Sequence, residues 1–318
     1  MAGRRLRVLV VGAGHMGRLH AVKAAHALPA DVTLSGVADR HLDRAAVLAR
    51  EHGGVPAASD PRALAAAADA AIVAVPTVAH AAVAGALLDA GLDVLVEKPI
   101  AATLAEAEEM IARARRAGRV LQVGHLEWHN PALRALFGRI RRPRFVEAHR
   151  LGPFPARGTD VDVVRDLMIH DLDVVQRLFG EEPASLEAVG VPVLSEQADL
   201  ANARLRFPGG GVANLTASRV SPTPLRKLRI FQADGYLSVD FLAGSALLAR
   251  RVEGREGARI DVEPVPVEPG DALTAQLRAF VAAVRTRRDE AGSAEAGARA
   301  LRTALRVVAA MPPASELA

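Results

Sequence analysis

The apolar run Leu6–Val11 ends directly on Gly12-Ala13-Gly14-His15-Met16-Gly17, and a helix-forming stretch begins there. Few sequence features restrict a fold so tightly. Glycine at 12 lets the chain turn sharply off a strand, and glycine at 14 lets the backbone approach a pyrophosphate. Glycine at 17 lets the helix pack closely on the strand. The amide N–H groups of such a turn, with the positive end of the helix dipole, receive phosphates. Glycine-rich turns are common, so the motif alone is weak. Here it fills the first strand-to-helix turn, and an acidic residue, Asp39, ends the next apolar run 22 positions beyond Gly17. That combination predicts a dinucleotide-binding βαβ unit. His15 and Met16, inside the turn, are expected at the cofactor with the three glycines.

Asp39 is expected to accept hydrogen bonds from the adenosine ribose hydroxyls, which favours NAD over NADP. Its neighbour Arg40 has two readings: a group facing a 2′-phosphate, or a solvent-exposed lead-in to the next helix. NAD is the expected cofactor and NADP the alternative. No second adenylate-binding segment is evident that would suit a flavin.

Through residue 125 short apolar runs alternate with Ala-rich helical stretches, the mark of a parallel sheet with helices on its faces. Strands are expected at Leu6–Val11, Val32–Ala38, Ala71–Pro76, Asp93–Val96 and Val120–Val123, and helices near Gly17–Ala27, Leu42–Glu51, Ala79–Ala90 and Leu104–Ala117. Such continuous apolar runs suit strands buried on both faces.

The pattern then changes to extended segments separated by turn signals. Arg144–Leu151, Ser185–Val193, Ala201–Phe207, Val212–Arg219, Leu225–Ala233 and Tyr236–Phe241 read as strands, with hairpin turns at Pro208–Gly211 and Asp234-Gly235. One helix, Val163–Phe179, interrupts them, and the tail from Asp271 to Ala310 returns to helix. The expected fold class is therefore α/β. A Rossmann domain with a doubly wound parallel sheet occupies residues 1–123. A second α/β domain with a large, open, mostly antiparallel sheet occupies 124–318, with 124–143 as the crossover.

Composition excludes several alternatives. No apolar stretch has the length of a membrane span, and the N-terminal apolar run is too short for a secretory signal. The 318 residues contain no Cys, which rules out disulfides and Cys-ligated zinc and suits a reducing, cytoplasmic setting. The formal net charge is only +4. The densest basic stretch, Arg139–Arg144, is as well explained by a solvated loop as by nucleic acid, and no nucleic-acid partner is expected.

Two elements outside the glycine turn carry chemistry. Only three lysines are present, and one, Lys98, follows a predicted parallel strand in Val96-Glu97-Lys98-Pro99. Groups at the C-terminal ends of such strands line the ligand crevice. A lysine there can donate to a substrate oxygen or help move its proton; the competing reading is a surface lysine at a strand end. The second element is Asp166, His170 and Asp173, spaced i, i+4, i+7 and so on one helix face. A carboxylate one turn from an imidazole can orient it for general acid–base work, although a merely polar helix face has the same pattern. Further ligands at metal spacing are not apparent, and no metal is expected.

Together these residues resemble the Gfo/Idh/MocA oxidoreductase family. The likeness is carried by the glycine turn, Ala74-Val75-Pro76-Thr77-Val78-Ala79-His80, Glu97-Lys98-Pro99 and the Asp166/His170 helix, and it covers nearly the whole chain. It implies Lys98 and His170 as the catalytic pair with Asp166 beside them. It also implies Pro76, Thr77 and His80 along the nicotinamide half of the cofactor site, with Glu97 among the cofactor residues. An open sheet that serves as an oligomer interface, and hence a homo-oligomer, goes with it.

A narrower resemblance, to the branch that contains UDP-N-acetylglucosamine 3-dehydrogenases, rests on four segments. They are Val123–Glu127, Asn130-Pro131, Asp166–Asp173 and Phe231–Tyr236. It implies oxidation of a sugar 3-hydroxyl to a ketone, with His125, Asn130 and Arg157 at the substrate and Arg150 as a further candidate for a diphosphate. Where the branch shows Glu-Arg-Phe-Asn-Pro, this chain has Glu127-Trp128-His129-Asn130-Pro131, which leaves the exact sugar open. The implied chemistry moves hydride to nicotinamide C4 while His170 takes the hydroxyl proton and Lys98 stabilises the developing alkoxide. The Lys98 ammonium and the His170 imidazole are expected to meet across the nicotinamide. Two alternatives stay open: a dehydrogenase of another sugar or an inositol, and a cofactor-binding regulator without catalysis.

Overall fold

The computed structural model describes residues 4–154, 161–254, 257–289 and 294–312. They form two compact units, Met1–Leu126 with Asp271–Ala298, and Glu127–Gly270 with Arg299–Ala318.

In the first unit, β1 (Leu6–Val11) leads into α1 (His15–Val22), which continues as one π-turn over Lys23–Ala27. β2 (Val32–Ala38), α2 (Leu42–Glu51), the two-residue β3 (Ala57–Ala58), α3 (Arg62–Ala65), β4 (Ala70–Val73), α4 (His80–Asp89), β5 (Asp93–Val96), α5 (Leu104–Ala117) and β6 (Leu121–Val123) follow. The strands pair in parallel in the order β3-β2-β1-β4-β5-β6. This doubly wound order reverses direction beside β1, where β2 lies on one side and β4 on the other, and ligands of such sheets bind at that point. Val8, Leu9 and Val10 are wholly buried, as a central strand covered by helices on both faces requires. α5 begins with a capping box in which Thr103 and Glu106 satisfy each other's backbone N–H groups, and it ends on Gly118 in the left-handed conformation.

The second unit opens with a 3₁₀ turn over Leu126–His129 and α6 (Pro131–Arg134). Its sheet comprises β7 (Phe145–Leu151), β8 (Ser185–Val191), β9 (Leu200–Arg206), β10 (Val212–Ser218), β11 (Leu225–Gln232), β12 (Gly235–Asp240), β13 (Ser245–Gly254) and β14 (Gly257–Val265). The spatial order is β14-β13-β12-β11-β7-β10-β9-β8, antiparallel throughout except for the parallel pair β7/β10. Between β7 and β8 lies α7 (Ile169–Phe179), preceded by a π-turn over Val164–Met168. Its apolar face, including Ile169, Leu172 and Val175, packs with Val146, Ala148, Leu215 and Leu228 of the sheet.

The two sheets are separate, as the expected fold class requires, but the chain is not divided at a single point. α8 (Ala272–Thr286), expected in the second domain, joins the first unit, where Leu277, Phe280, Val281 and Val284 pack with Val8, Leu34 and Ile72. Its amphipathic period gives it a buried stripe, and nothing local to the tail names the sheet that stripe covers. α9 (Ala294–Ala310) follows, and its Ala300, Ala304 and Val307 belong to the core of the second unit. β13 and β14 were not among the expected strands. β14 is exposed along most of its length, so it lacks the apolar alternation that marks a half-buried strand. Among the described residues no helix is long and apolar enough to cross a membrane.

Candidate functional site

The glycine turn has the geometry its sequence demands. Gly12 has φ +102°, and a Cβ there would lie 2.4 Å from the Ala74 carbonyl oxygen. A Cβ at Gly17 would lie 1.7 Å from the Gly12 carbonyl oxygen, so α1 can start this close to β1 only without a side chain. Gly14 differs: a Cβ added there meets nothing within 4 Å. The space above Gly14 is open to a ligand rather than filled by protein.

That space belongs to a cleft of about 350 Å³ in the first unit, lined by Gly12, Gly14, Asp39, Arg40, Arg44, Ser59, Pro76 and Val78 among others. Most of these residues follow the C-terminal ends of β1, β2 and β4 or lie in the turn after β3, and Arg44 comes from α2. The exposed amides at the start of α1 and an open floor at Gly14 fit a dinucleotide pyrophosphate. Asp39 sits where the ribose end is expected. Its Oδ2 accepts from the Ala13 N–H at 2.7 Å and its Oδ1 from the His41 N–H at 2.9 Å, which fixes the carboxylate at the cleft. Arg40 is exposed, and its Nε donates to the ring of His41 at 3.2 Å. His15 starts α1 exposed, and Met16 is half-buried beside it. Thr77 begins a short 3₁₀ turn between Pro76 and Val78.

Two residues expected along the cofactor are engaged elsewhere. His80 is buried, with Nδ1 2.8 Å from the Pro99 carbonyl oxygen and Nε2 2.9 Å from that of Val75. It ties the loop after β4 to the loop after β5. Burial lowers its pKa against the opposing pull of the two carbonyls and of Glu97. Glu97 is also buried. Its Oε1 lies 2.7 Å from His20 Nε2, and Oε2 accepts from the Lys98 N–H at 3.3 Å. Neither residue is among those lining the cleft. His20 carries no local signal in the sequence, because its partner is 77 positions away.

Lys98 is half-buried just after β5, at the same C-terminal edge of the sheet. Its peptide bond to Pro99 is cis. The other two lysines sit in ion pairs, Lys23 with Asp271 at 3.1 Å and Lys227 with Asp240 at 3.4 Å. His125, buried, follows β6 on that edge.

In the second unit Asp166 lies within the π-turn and His170 in the first turn of α7, both half-buried. The π-turn widens the helix locally, and such turns are frequent at functional sites. Asp166 and His170 are four positions apart, about one turn in either helix type. Asp173 does not join them: it is buried and gripped by Arg177 Nε at 2.9 Å to both oxygens. Arg150, a candidate for a diphosphate, is buried between carboxylates, bonded to Asp171 and Glu127. Asn130, expected at the substrate, caps α6 by accepting from the Ala132 N–H at 3.0 Å. Trp128 packs against Phe137, with the Arg177 guanidinium 5.1 Å from its ring centroid. The substitution of Trp in that motif is thus accommodated by packing within the second unit. Arg157 lies outside the described residues. Among the described residues no group of three or more His, Asp or Glu side chains is placed to hold a metal.

The comparisons with known proteins agree with this architecture. Residues 6–125 match the model of an oxidoreductase family with an NAD-binding Rossmann fold, and residues 134–238 match the GFO/IDH/MocA C-terminal domain. A UDP-N-acetylglucosamine 3-dehydrogenase of Acidithiobacillus ferrooxidans is 41% identical over 310 residues, 95% of this chain and 96% of that protein. A solved structure of the enzyme of that name from the same organism superposes with a TM-score of 0.90 at 39% identity, covering 97% of this chain and 98% of that one. A myo-inositol dehydrogenase of Streptomyces leeuwenhoekii is 31% identical over 68% of this chain and 71% of its own length. The protein is an oxidoreductase, and the chain belongs to the Gfo/Idh/MocA family.

Proposed function

We propose that the protein oxidises the 3-hydroxyl of a UDP-N-acetyl-hexosamine, UDP-N-acetylglucosamine first among candidates, with NAD as its preferred cofactor. The substrate follows from the relative that is 41% identical over 95% of the chain; the inositol dehydrogenases are more distant, at 31% identity over 68%. The observation that carries the chemistry is the position of Lys98, at the C-terminal end of β5 in the sheet whose first turn bears the glycine motif.

When bound, a nicotinamide supplies the acceptor for the hydride. The protein's work is to hold the sugar and manage the proton. His170 takes the hydroxyl proton, Asp166 orients its ring and favours its protonated form, and Lys98 donates a hydrogen bond to the oxygen as negative charge develops there. Two electrons leave the carbon as hydride and one proton leaves the oxygen, which yields the ketone. A positioned acid–base group of this kind is worth about 100- to 10,000-fold in rate.

The turn Gly12–Gly17 would hold the pyrophosphate and Asp39 the adenosine ribose, with Pro76 and Thr77 toward the nicotinamide. Asp39 supports NAD. Arg40 and Arg44, in the same cleft, support weaker acceptance of NADP. Homo-oligomerisation completes the proposal. The side of the second sheet away from its core carries partly exposed residues such as Phe145, Glu147, Asn202 and Tyr236, and a second copy covers it. Light scattering on the purified chain tests that point. The function itself is tested by a substrate panel of UDP-N-acetylglucosamine, inositol and free aldoses, read at the absorbance of reduced nicotinamide. Turnover of inositol alone would shift the assignment to that class.

A further inference from the structure

Glu97 and Lys98 are consecutive, yet they face different surroundings. Lys98 is half-buried at the edge of the sheet, whereas Glu97 is buried with its carboxylate fixed from three directions. From α1, His20 approaches Oε1 at 2.7 Å, and His20 is itself 1% exposed. From its own strand end, the Lys98 N–H donates to Oε2 at 3.3 Å. From the end of β6, Gly124 closes over the group, so that a Cβ there would lie 2.9 Å from Oε2 and 3.1 Å from Oε1. Pro99, on the other side of Lys98, is anchored too, because its carbonyl oxygen is bonded to the ring of His80 at 2.8 Å. Lys98 therefore stands between two neighbours that are each tied by hydrogen bonds to other elements.

A buried polar contact is a poor source of stability, because its groups must be stripped of water, and well-packed apolar residues of similar volume are often as good or better. The His20–Glu97 contact, an ion pair only when His20 is protonated, therefore calls for a role other than stability, and its geometry offers one. Glu97 and Lys98 share a peptide unit whose N–H is bonded to the Glu97 carboxylate, so fixing that carboxylate restrains the backbone from which the Lys98 side chain starts. The charged and titratable groups that act on Glu97 are His20 and Lys98, and Glu97 in turn acts on His80. Burial opposes the Glu97 charge, but His20 and Lys98 outweigh it and hold the carboxyl below its ordinary value. Glu97 thus keeps a negative charge beside Lys98.

We propose that His20 and Glu97 are positioning residues for the reaction, a buried pair that sets the location and electrostatic surroundings of Lys98. The proposal rests on the assignment of Lys98 to the substrate oxygen. It is tested on the full chain with His20→Gln, Glu97→Gln, Glu97→Asp and Lys98→Ala. Turnover, KM, calorimetric NAD binding, melting temperature and the pH profile of kcat/KM are measured for each.

In Glu97→Gln and His20→Gln, kcat falls about 100-fold, the scale of a misplacement near 1 Å, while NAD affinity is unchanged. The alkaline limb of the profile moves to lower pH in Glu97→Gln, where the negative charge is lost. In Glu97→Asp, which keeps the charge on a shorter stem, the limb stays in place and kcat remains low. A purely structural role would not separate these two variants. Wild-type kcat with an unmoved limb in Glu97→Gln overturns the proposal. So does a loss of NAD binding in step with kcat, or a failure of both Glu97 variants to fold, since either assigns the pair to the scaffold. If Lys98→Ala itself retains full turnover, the assignment of Lys98 fails. If Lys98→Ala is inactive while the His20 and Glu97 variants turn over normally, only the positioning role fails.

Discussion

Arg150 holds Asp171, the chain neighbour of His170, in a two-point grip: Nε donates to Oδ2 at 2.9 Å and Nη2 to Oδ1 at 2.8 Å. Its remaining nitrogen, Nη1, donates to Glu127 Oε1 at 2.7 Å. The first turn of α7 is thereby tied to β7 and to the turn that enters the second unit. Burial opposes the guanidinium charge, but Asp171 and Glu127 outweigh it and hold the Arg150 pKa above its ordinary value.

Removing Arg150 should therefore be severe. Arg150→Met leaves two carboxylates in a site that excludes water, and losing one partner of a buried pair costs about 3–5 kcal/mol. Arg150→Lys, which cannot reproduce the planar fork, should recover only part of the loss. Urea unfolding measures both. A methionine variant as stable as the parent would show that Arg150 does not hold this end of α7.

Gly17→Ala places a methyl group 1.7 Å from the Gly12 carbonyl oxygen, a backbone atom that has no room to move. Overpacking of this kind costs about 1–3 kcal/mol or more. The start of α1 must shift, and NAD binding should weaken along with the melting temperature. Gly14→Ala meets no protein atom, so its melting temperature should stay at the parent value while NAD binding alone is lost. Calorimetry and thermal melts on the two variants make the contrast. Equal behaviour would mean that the open floor at Gly14 is not where the pyrophosphate lies.

The proposed preference for NAD rests on Asp39. A hydrogen bond to a charged group contributes about 1.5–3 kcal/mol, so Asp39→Ala should weaken NAD by about tenfold or more. Removing the carboxylate also removes its repulsion of a 2′-phosphate, so NADP should bind Asp39→Ala more tightly than it binds the parent. Arg40→Ala should weaken NADP and leave NAD unchanged. Titrations with both nucleotides check the signs, and an Arg40 variant with undiminished NADP affinity would return Arg40 to the solvent.

Acid stability should follow two carboxylates in different units. Burial pushes Asp69 up, but hydrogen bonds from Arg7 and Arg4 outweigh it and hold the carboxyl at about 2. Asp199, buried beside Arg219, accepts from the N–H groups of Val193, Leu194 and Ser195, and it too is held below the usual range. Both values are depressed in the folded state. Their stabilisation is thus present above about pH 4, the ordinary aspartate value, and is lost as pH falls through the folded value. Asp69→Asn and Asp199→Asn should melt earlier than the parent at pH 7, and the gap should begin to narrow below pH 4. A gap as wide at pH 2 as at pH 7 would contradict this origin.

The features legible in the sequence are those whose cause is local. Strands β1, β2 and β5 and helices α2 and α5 have the expected limits, because each is a local apolar run or amphipathic period, and α5 is also marked by its Thr103 cap and Gly118. The glycine turn and Asp39 were readable for the same reason. What escaped depends on partners distant in the chain. Glu97 reads as a cofactor residue, and nothing near it in the sequence announces His20, 77 positions earlier, against its carboxylate. Arg150 reads as a free cation until Asp171 and Glu127 enclose it. Asn130 resembles a polar substrate contact, yet the helix it starts uses its carbonyl as a cap. α8 has a clear apolar stripe, but the stripe does not say which of two sheets it covers.

His170 is where the account is most exposed. The direct measurement is the rate at which reduced nicotinamide appears from UDP-N-acetylglucosamine and NAD, compared between the parent and His170→Ala, with NAD binding followed by calorimetry on both. The account predicts steady production by the parent, a loss of about 100-fold or more in kcat for the variant, and the same NAD affinity in each. Undiminished turnover by His170→Ala would contradict it.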